Sequence, residues 1–190
     1  MPITSLFRRN PHREAARRLY GRIVEAARQP VFFAYCGVPD TLDGRFDLLA
    51  LHAFLVLGRL KGAGAECADF AQALFDTMFT DMDRVLREIG VGDLSVGRQV
   101  KRMAKGFYGR IASYERGLAE GDHELRAALR RNLYGTVSPG EGDLCAMADY
   151  MRRCAAALAA EPASLLLAGE AQFAPPPSAT AGAAKGRSHG

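Results

Sequence analysis

The stretch DGRFDLLALHAFLVLGRLK, residues 43–61, decides the fold class of this chain. Its apolar side chains fall on every side of a helix, which indicates that the helix is buried all round. Two aspartates lie in its first turn, and Arg59 and Lys61 lie in its last turn, which suits the helix macrodipole at both ends. Glycines at positions 62 and 64 then end it. We expect residues 43–61 to form the central helix of the protein.

Five other segments carry apolar residues at the helical period and predict helices around the central one. Gly90 is expected to be the left-handed residue that ends one of them, Asp122 to cap another, and Pro162 to open a short last helix. No period-two alternation runs longer than about four residues, so a sheet is not expected. The sequence therefore predicts an all-α fold, an irregular single-domain bundle of about six helices. The five segments span about residues 11–28, 65–89, 94–118, 122–134 and 142–160.

Length and composition fit one compact domain. The chain has 190 residues, of which 48% are hydrophobic and 24% are charged, close to ordinary globular usage. The three prolines at 175–177 and the small residues after them offer nothing to bury. We therefore expect an N-terminal arm at residues 1–10, a helical domain at residues 11–170, and a disordered tail rich in Pro, Ala and Gly at residues 171–190.

Segments that would direct the chain into or across a membrane are not recognised. The longest apolar run, residues 48–58, is well short of the roughly 20 residues needed to span a bilayer. The N-terminus is rich in arginine but has no apolar block followed by a small-residue cleavage site, so we expect no secretory signal. None of the four cysteines forms a CxxC pair, which favours reduced, mostly buried thiols.

Residue types that carry catalysis are scattered along the chain. The four histidines lie in four different segments, and His52, in the apolar central helix, is interpreted as a hydrogen-bonded core or interface residue. The glycines at 90, 92 and 97 join two helices and lack the lysine and hydroxyl of a phosphate loop. We expect no catalytic residues and no cofactor.

Two acidic patterns resemble metal sites, but each has a simpler interpretation. Residues 120–123 spell ExxH, which di-iron bundles use twice and inside helices, whereas it occurs here once and at a helix break. The aspartates Asp76, Asp81 and Asp83 lack the spacing that magnesium-dependent helical prenyl enzymes use, and they are interpreted as a solvated face. We therefore expect no metal site.

Two long blocks of sequence resemble the ubiquinol-cytochrome c chaperone family. The first block is YCGVPDTLDGRFDLLALH, residues 35–52. The second runs through QALFDTMFTDMDRVLREIGVGDLSV, residues 72–96, and VKRMAKGFYGR, residues 100–110. With their flanks the blocks cover about residues 17–160, nearly the whole predicted domain. The resemblance implies a helical assembly chaperone, not an enzyme, that binds and stabilises newly made cytochrome b before ubiquinol-cytochrome c reductase is assembled.

The resemblance also implies partners and a location. Mitochondrial members act beside the ribosome with a small helical partner protein, and this chain lacks their long targeting extension, as the bacterial form does. We expect it in the bacterial cytoplasm, peripheral to the inner membrane, with cytochrome b, a small helical protein, and the ribosome or an anionic membrane surface as partners, and with no DNA. Two alternatives stay open: a membrane- or RNA-surface adaptor without a folding client, and a metal-dependent helical enzyme.

Two groups of residues are candidates for binding. Polar residues of the first block are expected to act locally, as cap and charge partners at the turn into the central helix. Met- and Phe-rich faces suit an apolar groove, with a buried core as the simpler alternative. Their members are Phe75, Met78, Phe79, Met82, Met103 and Phe107. The candidates for binding a client or partner are Asp40, Asp43, Arg45, Asp47, His52, Phe75, Met78, Phe79, Met82, Phe107 and Tyr108.

A basic stripe is the second candidate, for lipid headgroups or the ribosome, with an ordinary solvated face as the alternative. It lies opposite the apolar stripe of its own predicted helix. Its members are Arg98, Lys101, Arg102, Lys105 and Arg116.

Overall fold

A computed structural model describes residues 12–178, which fold into eight α-helices without a strand. The prediction of an all-α bundle is confirmed, and six longer helices correspond to the six predicted segments. Two five-residue helices are added: α8 follows Pro162 as expected, whereas α2 was not predicted because its apolar run is too short to show a period. The helices are α1 (Arg13–Ala27), α2 (Pro30–Ala34), α3 (Leu42–Leu60), α4 (Ala65–Glu88), α5 (Asp93–Glu120), α6 (Asp122–Asn132), α7 (Glu141–Ala160) and α8 (Ala163–Leu167).

Helix α3 is the centre of the bundle. It packs against α1, α4, α5, α7 and α8. Thirteen of its nineteen residues are buried, as expected for a helix that is apolar on every side. The remaining helices each bury one face against it or against one another, so their outer faces are free to be polar.

The first turn of α3 is held closely by the loop before it. Thr41 is the N-cap, and its hydroxyl oxygen accepts a hydrogen bond from the Gly44 N–H at 3.1 Å. A Cβ atom on Gly44 would lie 2.1 Å from the Pro39 carbonyl oxygen, which is closer than any side chain allows. Glycine at 44 therefore lets the loop lie directly on the helix and fixes the direction in which α3 starts.

The turn between α4 and α5 is a Schellman motif. Gly90 has φ 88°, the left-handed conformation that was predicted for it. The Gly90 N–H donates to the Arg87 carbonyl at 3.0 Å, and the Val91 N–H donates to the Leu86 carbonyl at 3.0 Å. These two bonds satisfy the last carbonyls of α4 and place the start of α5 beside its end.

Asp122 does not cap α6, contrary to the prediction. The N-cap is Gly121, and Asp122 is the first helical residue. Its carboxylate instead accepts from two guanidinium groups, Arg126 at 2.7 Å and Arg152 at 2.6 Å. Because one of these arginines lies on α7, Asp122 links α6 to α7 rather than closing its own helix.

The chain after α8 continues along the bundle as far as it is described. Phe173 and its neighbours Ala171 and Ala174 pack against the core, and Arg153 donates to the Pro175 carbonyl at 2.8 Å. The expected arm at 1–10 and the tail residues from 179 on lie outside the described residues. No helix between residues 12 and 178 combines the length and the apolar character needed to cross a membrane.

Candidate functional site

An apolar groove of about 850 Å³ lies among five of the helices. Five helices form it: the C-terminal half of α1, α2, the start of α3, the C-terminal half of α4, and the N-terminal half of α5. It thus brings the two sequence blocks together, since α3 carries the first and α4 with α5 the second. The apolar residues that line it are Val24, Ala27, Pro30, Phe33, Ala34, Leu42, Phe46, Leu49, Met82, Val85, Leu86, Ile89 and Met103.

The groove is open at its mouth and closed at its floor. Phe46 and Leu86 are 7% and 2% exposed, so they belong to the core that supports the floor. Leu42 and Ile89 are 45% and 55% exposed and lie at the mouth. Apolar side chains that face solvent around a cavity are typical of a surface that binds an apolar partner.

Charged groups surround the apolar lining. Asp40 and Arg45 form an exposed ion pair at 2.6 Å, and the hydrogen bond from Arg45 lowers the pKa of Asp40. Exposed Asp43 lies beside them. Asp40 and Arg45 are therefore charge partners at the turn into α3, as expected, whereas the cap is Thr41 and none of the aspartates. The turn also supplies a polar edge to the groove.

A second polar contact at the groove joins α1 to α4. The Tyr20 hydroxyl on α1 donates to the Asp81 carboxylate on α4 at 2.8 Å, and Arg84 donates to the same carboxylate at 2.5 Å. Burial, and then the hydrogen bond to Asp81, raise the pKa of Tyr20, so the phenol stays protonated. Asp81 is thus part of a fixed network between two helices, in contrast to the solvated face predicted for it.

Asp47 differs from the local role expected for it. Its carboxylate forms an ion pair with Arg110 on α5, and the two side chains are only 12% and 22% exposed. Burial raises the pKa of Asp47 to about 6, against the opposing influence of the Arg110 charge. The Arg110 guanidinium also lies 5.7 Å from the centre of the Phe46 ring, which lines the groove. Asp47 therefore supports the groove from behind and does not face it.

His52 is a core residue. It is fully buried, its Nδ1 donates to the Leu48 carbonyl at 2.8 Å, and its Nε2 accepts from the Tyr150 hydroxyl at 2.8 Å. Burial lowers the pKa of His52 to about 4, so the ring is neutral at pH 7. The rings of Phe32 and Phe173 pack against it at 5.8 and 5.2 Å. Of the two interpretations given to this histidine, core and interface, the structure supports the core.

Most of the predicted Met and Phe face is also core. Met78, Phe79 and Phe107 are 1%, 8% and 0% exposed and lie in a cluster of aromatic rings on α4 and α5. Phe75 lies at its edge, partly buried, and Tyr108 covers it from outside while remaining 59% exposed. Of the residues in the predicted Met- and Phe-rich faces, Met82 and Met103 line the groove, which makes the groove a neighbour of these faces and not the faces themselves.

Sequence reasoning missed the contributions of α1 and α2 to the groove and several of the apolar residues that α3 and α4 supply. Val24, Phe33, Leu42 and Val85 line it but were not among the candidates. The sequence offered one signal for Leu42. This apolar residue is the first residue of α3 and lies outside the buried part of the helix.

All five residues of the basic stripe on α5 are exposed, as predicted. None of them forms an ion pair with a described acidic residue, and the one contact of Arg102 is with the Gln99 side chain at 2.5 Å. Arg98, Lys101, Arg102 and Lys105 are thus four cations within eight residues that have no acidic partner among residues 12–178.

Residues 12–178 contain no group of three or more His, Cys, Asp or Glu side chains that could hold a metal ion. His123 of the ExxH pattern contacts its neighbour Glu124 at 3.2 Å. All four cysteines are free, and only Cys145 is exposed.

Comparisons with known proteins agree with this geometry. Residues 34–173 match the family described as Ubiquinol-cytochrome C chaperone. The crystal structure of the Cbp3 homolog from Brucella abortus superimposes with a TM-score of 0.77 at 36% sequence identity, covering 87% of this chain and 91% of that one.

Curated animal proteins are similar as well. Over 162 residues, or 85% of its length, the chain is 29% identical to the ubiquinol-cytochrome c reductase complex assembly factor 1 of Mus musculus and to that of Xenopus laevis. It spans 55% of the mouse protein and 81% of the Xenopus protein.

Proposed function

The chain belongs to the ubiquinol-cytochrome c chaperone family, and we propose that it is an assembly factor for ubiquinol-cytochrome c reductase that holds newly made cytochrome b in the apolar groove. The observation that carries the proposal is the lining of the groove. An apolar cavity with exposed leucine and isoleucine at its mouth is lined by residues of both family blocks, together with residues of α1 and α2.

The groove has the properties that reversible binding of an apolar segment requires. Its floor is closed because Phe46, Leu49 and Leu86 are buried. Its walls include Met82 and Met103, whose unbranched side chains adapt to irregular partners. The open mouth lets a segment leave again, which a chaperone needs and a permanent subunit interface does not.

The charged edge limits what the groove accepts. Asp40, Asp43 and Asp81 lie around it, with Arg45 and Arg84 paired to two of them. A transmembrane segment of a new subunit has an apolar middle and polar ends, so it can place the middle in the groove and the ends at this edge. When the segment is released into the membrane, its apolar middle passes from the apolar groove into the apolar interior of the bilayer.

The remaining features of the proposal follow from the family. The protein acts without catalysis, in the bacterial cytoplasm and at the surface of the inner membrane, where cytochrome b is inserted. A small helical protein is its expected partner.

The test uses two substitutions at the mouth of the groove that the helices tolerate. Leu42→Asp places an acid at the first position of α3, and Ile89→Lys places a base at the end of α4, and both suit the helix dipole. In a strain that lacks the gene, the doubly substituted protein should accumulate normally but fail to restore cytochrome b and the reductase. Crosslinking to nascent cytochrome b should be lost in parallel.

Val137→Asp is the matched control, because Val137 is 44% exposed, like Leu42, but lies in the loop between α6 and α7 and does not line the groove. It should restore the reductase fully. Full restoration by the double variant as well would reject the groove as the client site. A gene deletion that leaves cytochrome b and the reductase unchanged would instead favour an adaptor without a folding client.

A further inference from the structure

The outer face of α5 has features that neither folding nor the groove requires. Positions 94, 98, 101, 105 and 108 follow one another at spacings of three and four residues, so their side chains lie on one side of the helix. All are exposed, and the face turns away from Met103, which lines the groove on the other side of α5. We call this face, together with the adjacent exposed Arg102, the α5 face; its members are Leu94, Arg98, Lys101, Arg102, Lys105 and Tyr108.

All charged side chains of the α5 face are positive. No aspartate or glutamate occurs from residue 94 to residue 114. The acidic residues at either end of this range are neutralised elsewhere: Asp93 pairs with Arg87, and Glu115 pairs with Lys61 at 2.7 Å. The four cations of the face are consequently left without acidic partners among the described residues, whereas many arginines on the other helices are paired.

The α5 face also has apolar ends. Leu94 is 92% exposed in the first turn of α5, and Tyr108 is 59% exposed four turns on. A leucine that projects into water beside four cations is typical of a helix that lies at a membrane surface, where the apolar group enters the acyl boundary and the cations meet the headgroups.

We propose that the α5 face binds the surface of an anionic phospholipid bilayer, with Leu94 inserted and Arg98, Lys101, Arg102 and Lys105 in the headgroup layer. The aliphatic end favours lipid over RNA, because RNA-binding surfaces use several aromatic platforms and this face has one tyrosine. The inference does not depend on the occupant of the groove, since the two surfaces share no residue.

Vesicle binding tests whether the cations of the α5 face bind anionic lipid. Wild-type protein should co-sediment with mixed phosphatidylglycerol–phosphatidylcholine vesicles at low salt, and neither with pure phosphatidylcholine nor at high salt. The variant with Lys101→Glu and Lys105→Glu should lose about tenfold or more in partition coefficient, given the weight of each charge near such a surface. An unchanged melting temperature would show that the variant is folded.

A control with the same change in net charge shows whether the effect is local. Arg13 and Arg17 on α1 are exposed and form no ion pair with an acidic residue between positions 12 and 178, so Arg13→Glu with Arg17→Glu matches the α5 variant. This control should retain most of the binding. An equal loss in both variants would attribute the binding to overall charge and overturn the proposal.

Tryptophan fluorescence can report the insertion of position 94 into lipid, because the protein itself contains no tryptophan. Leu94→Trp should shift its fluorescence to the blue when mixed vesicles are added, and Leu165→Trp, at a 39% exposed position on α8, should not. A Leu94→Trp spectrum that stays unchanged while the protein sediments with vesicles would exclude insertion. Binding of the wild type to ribosomal RNA but not to vesicles would overturn the proposal altogether.

Discussion

Asp47 on α3 and Arg110 on α5 form an ion pair between residues 63 positions apart, with both side chains largely buried. Asp47 belongs to the first sequence block of the family and Arg110 ends the second. The guanidinium of Arg110 lies over the ring of Phe46, so the pair joins the support of the groove to the packing of α3 on α5.

Removing one partner of this pair should be costly. Arg110→Met is expected to lower the free energy of unfolding at pH 7 by about 3 kcal/mol, because the Asp47 carboxylate stays buried without its partner. Urea denaturation measures the change. The double variant with Asp47→Asn should recover part of the loss.

The exposed pair of Asp40 and Arg45 provides the matched control for that experiment. Arg45→Met should leave the melting temperature nearly unchanged, since exposed ion pairs contribute little. If Arg110→Met proves as harmless as Arg45→Met, the buried pair does not stabilise the fold.

Two buried groups, His52 and Asp47, should make the free energy of unfolding depend on pH in opposite directions. The pKa of His52 falls from 6.5 to about 4 on folding, so its contribution is complete above pH 6.5 and is lost as the pH falls towards 4. The pKa of Asp47 rises from 3.8 to about 6, so its contribution is complete below pH 3.8 and is lost as the pH rises through 6. Each of these two contributions to the free energy of unfolding amounts to about 3 kcal/mol.

Single substitutions should separate the two effects. Between pH 6.5 and 4, the variant His52→Gln should gain stability on acidification, because Asp47 then acts alone. Asp47→Asn should lose stability over the same range, because His52 then acts alone. Urea unfolding at several pH values measures both slopes, and parallel slopes in the two variants would contradict the assignment.

Glycine at 44 should be required where glycine at 58 is not. Gly44→Ala places a methyl group against the Pro39 carbonyl oxygen and should lower the free energy of unfolding by about 2–3 kcal/mol. Gly58→Ala, on the same helix with nothing within 4 Å of its Cβ, should raise it by about 0.5–1 kcal/mol. Thermal denaturation of the two variants measures both changes. Equal effects would show that the Pro39 carbonyl oxygen does not lie close to residue 44.

One of the four thiols should react in the folded protein. Cys36, Cys67 and Cys154 are buried, and burial raises the pKa of Cys36 to about 11, whereas Cys145 is exposed. Titration with an aromatic disulfide reagent should therefore modify one thiol rapidly and the others only after denaturation. Cys145→Ser should abolish the rapid phase, and a rapid phase that survives it would show that a buried cysteine is accessible.

Much of the secondary structure could be read from the sequence, because helix formation depends on neighbours three and four positions apart. The six long helices, the buried character of α3, the left-handed Gly90 and the exposed basic stripe of α5 all follow from local patterns of this kind. The candidate site was predicted only in part, since Asp40, Asp43, Arg45 and Met82 line the groove but Val24, Phe33 and Leu42 were missed.

The sequence by itself determined which segments are helical and which face of each is apolar. Only the tertiary structure decided which apolar faces are covered: Met78, Phe79 and Phe107 lie inside the bundle, whereas the mouth of the groove, with Leu42 and Ile89, stays open. It also joined Asp47 to Arg110 and His52 to Tyr150. The physical reason is that helical period is a property of neighbouring residues, whereas burial depends on which distant helices pack together, and no local pattern records that.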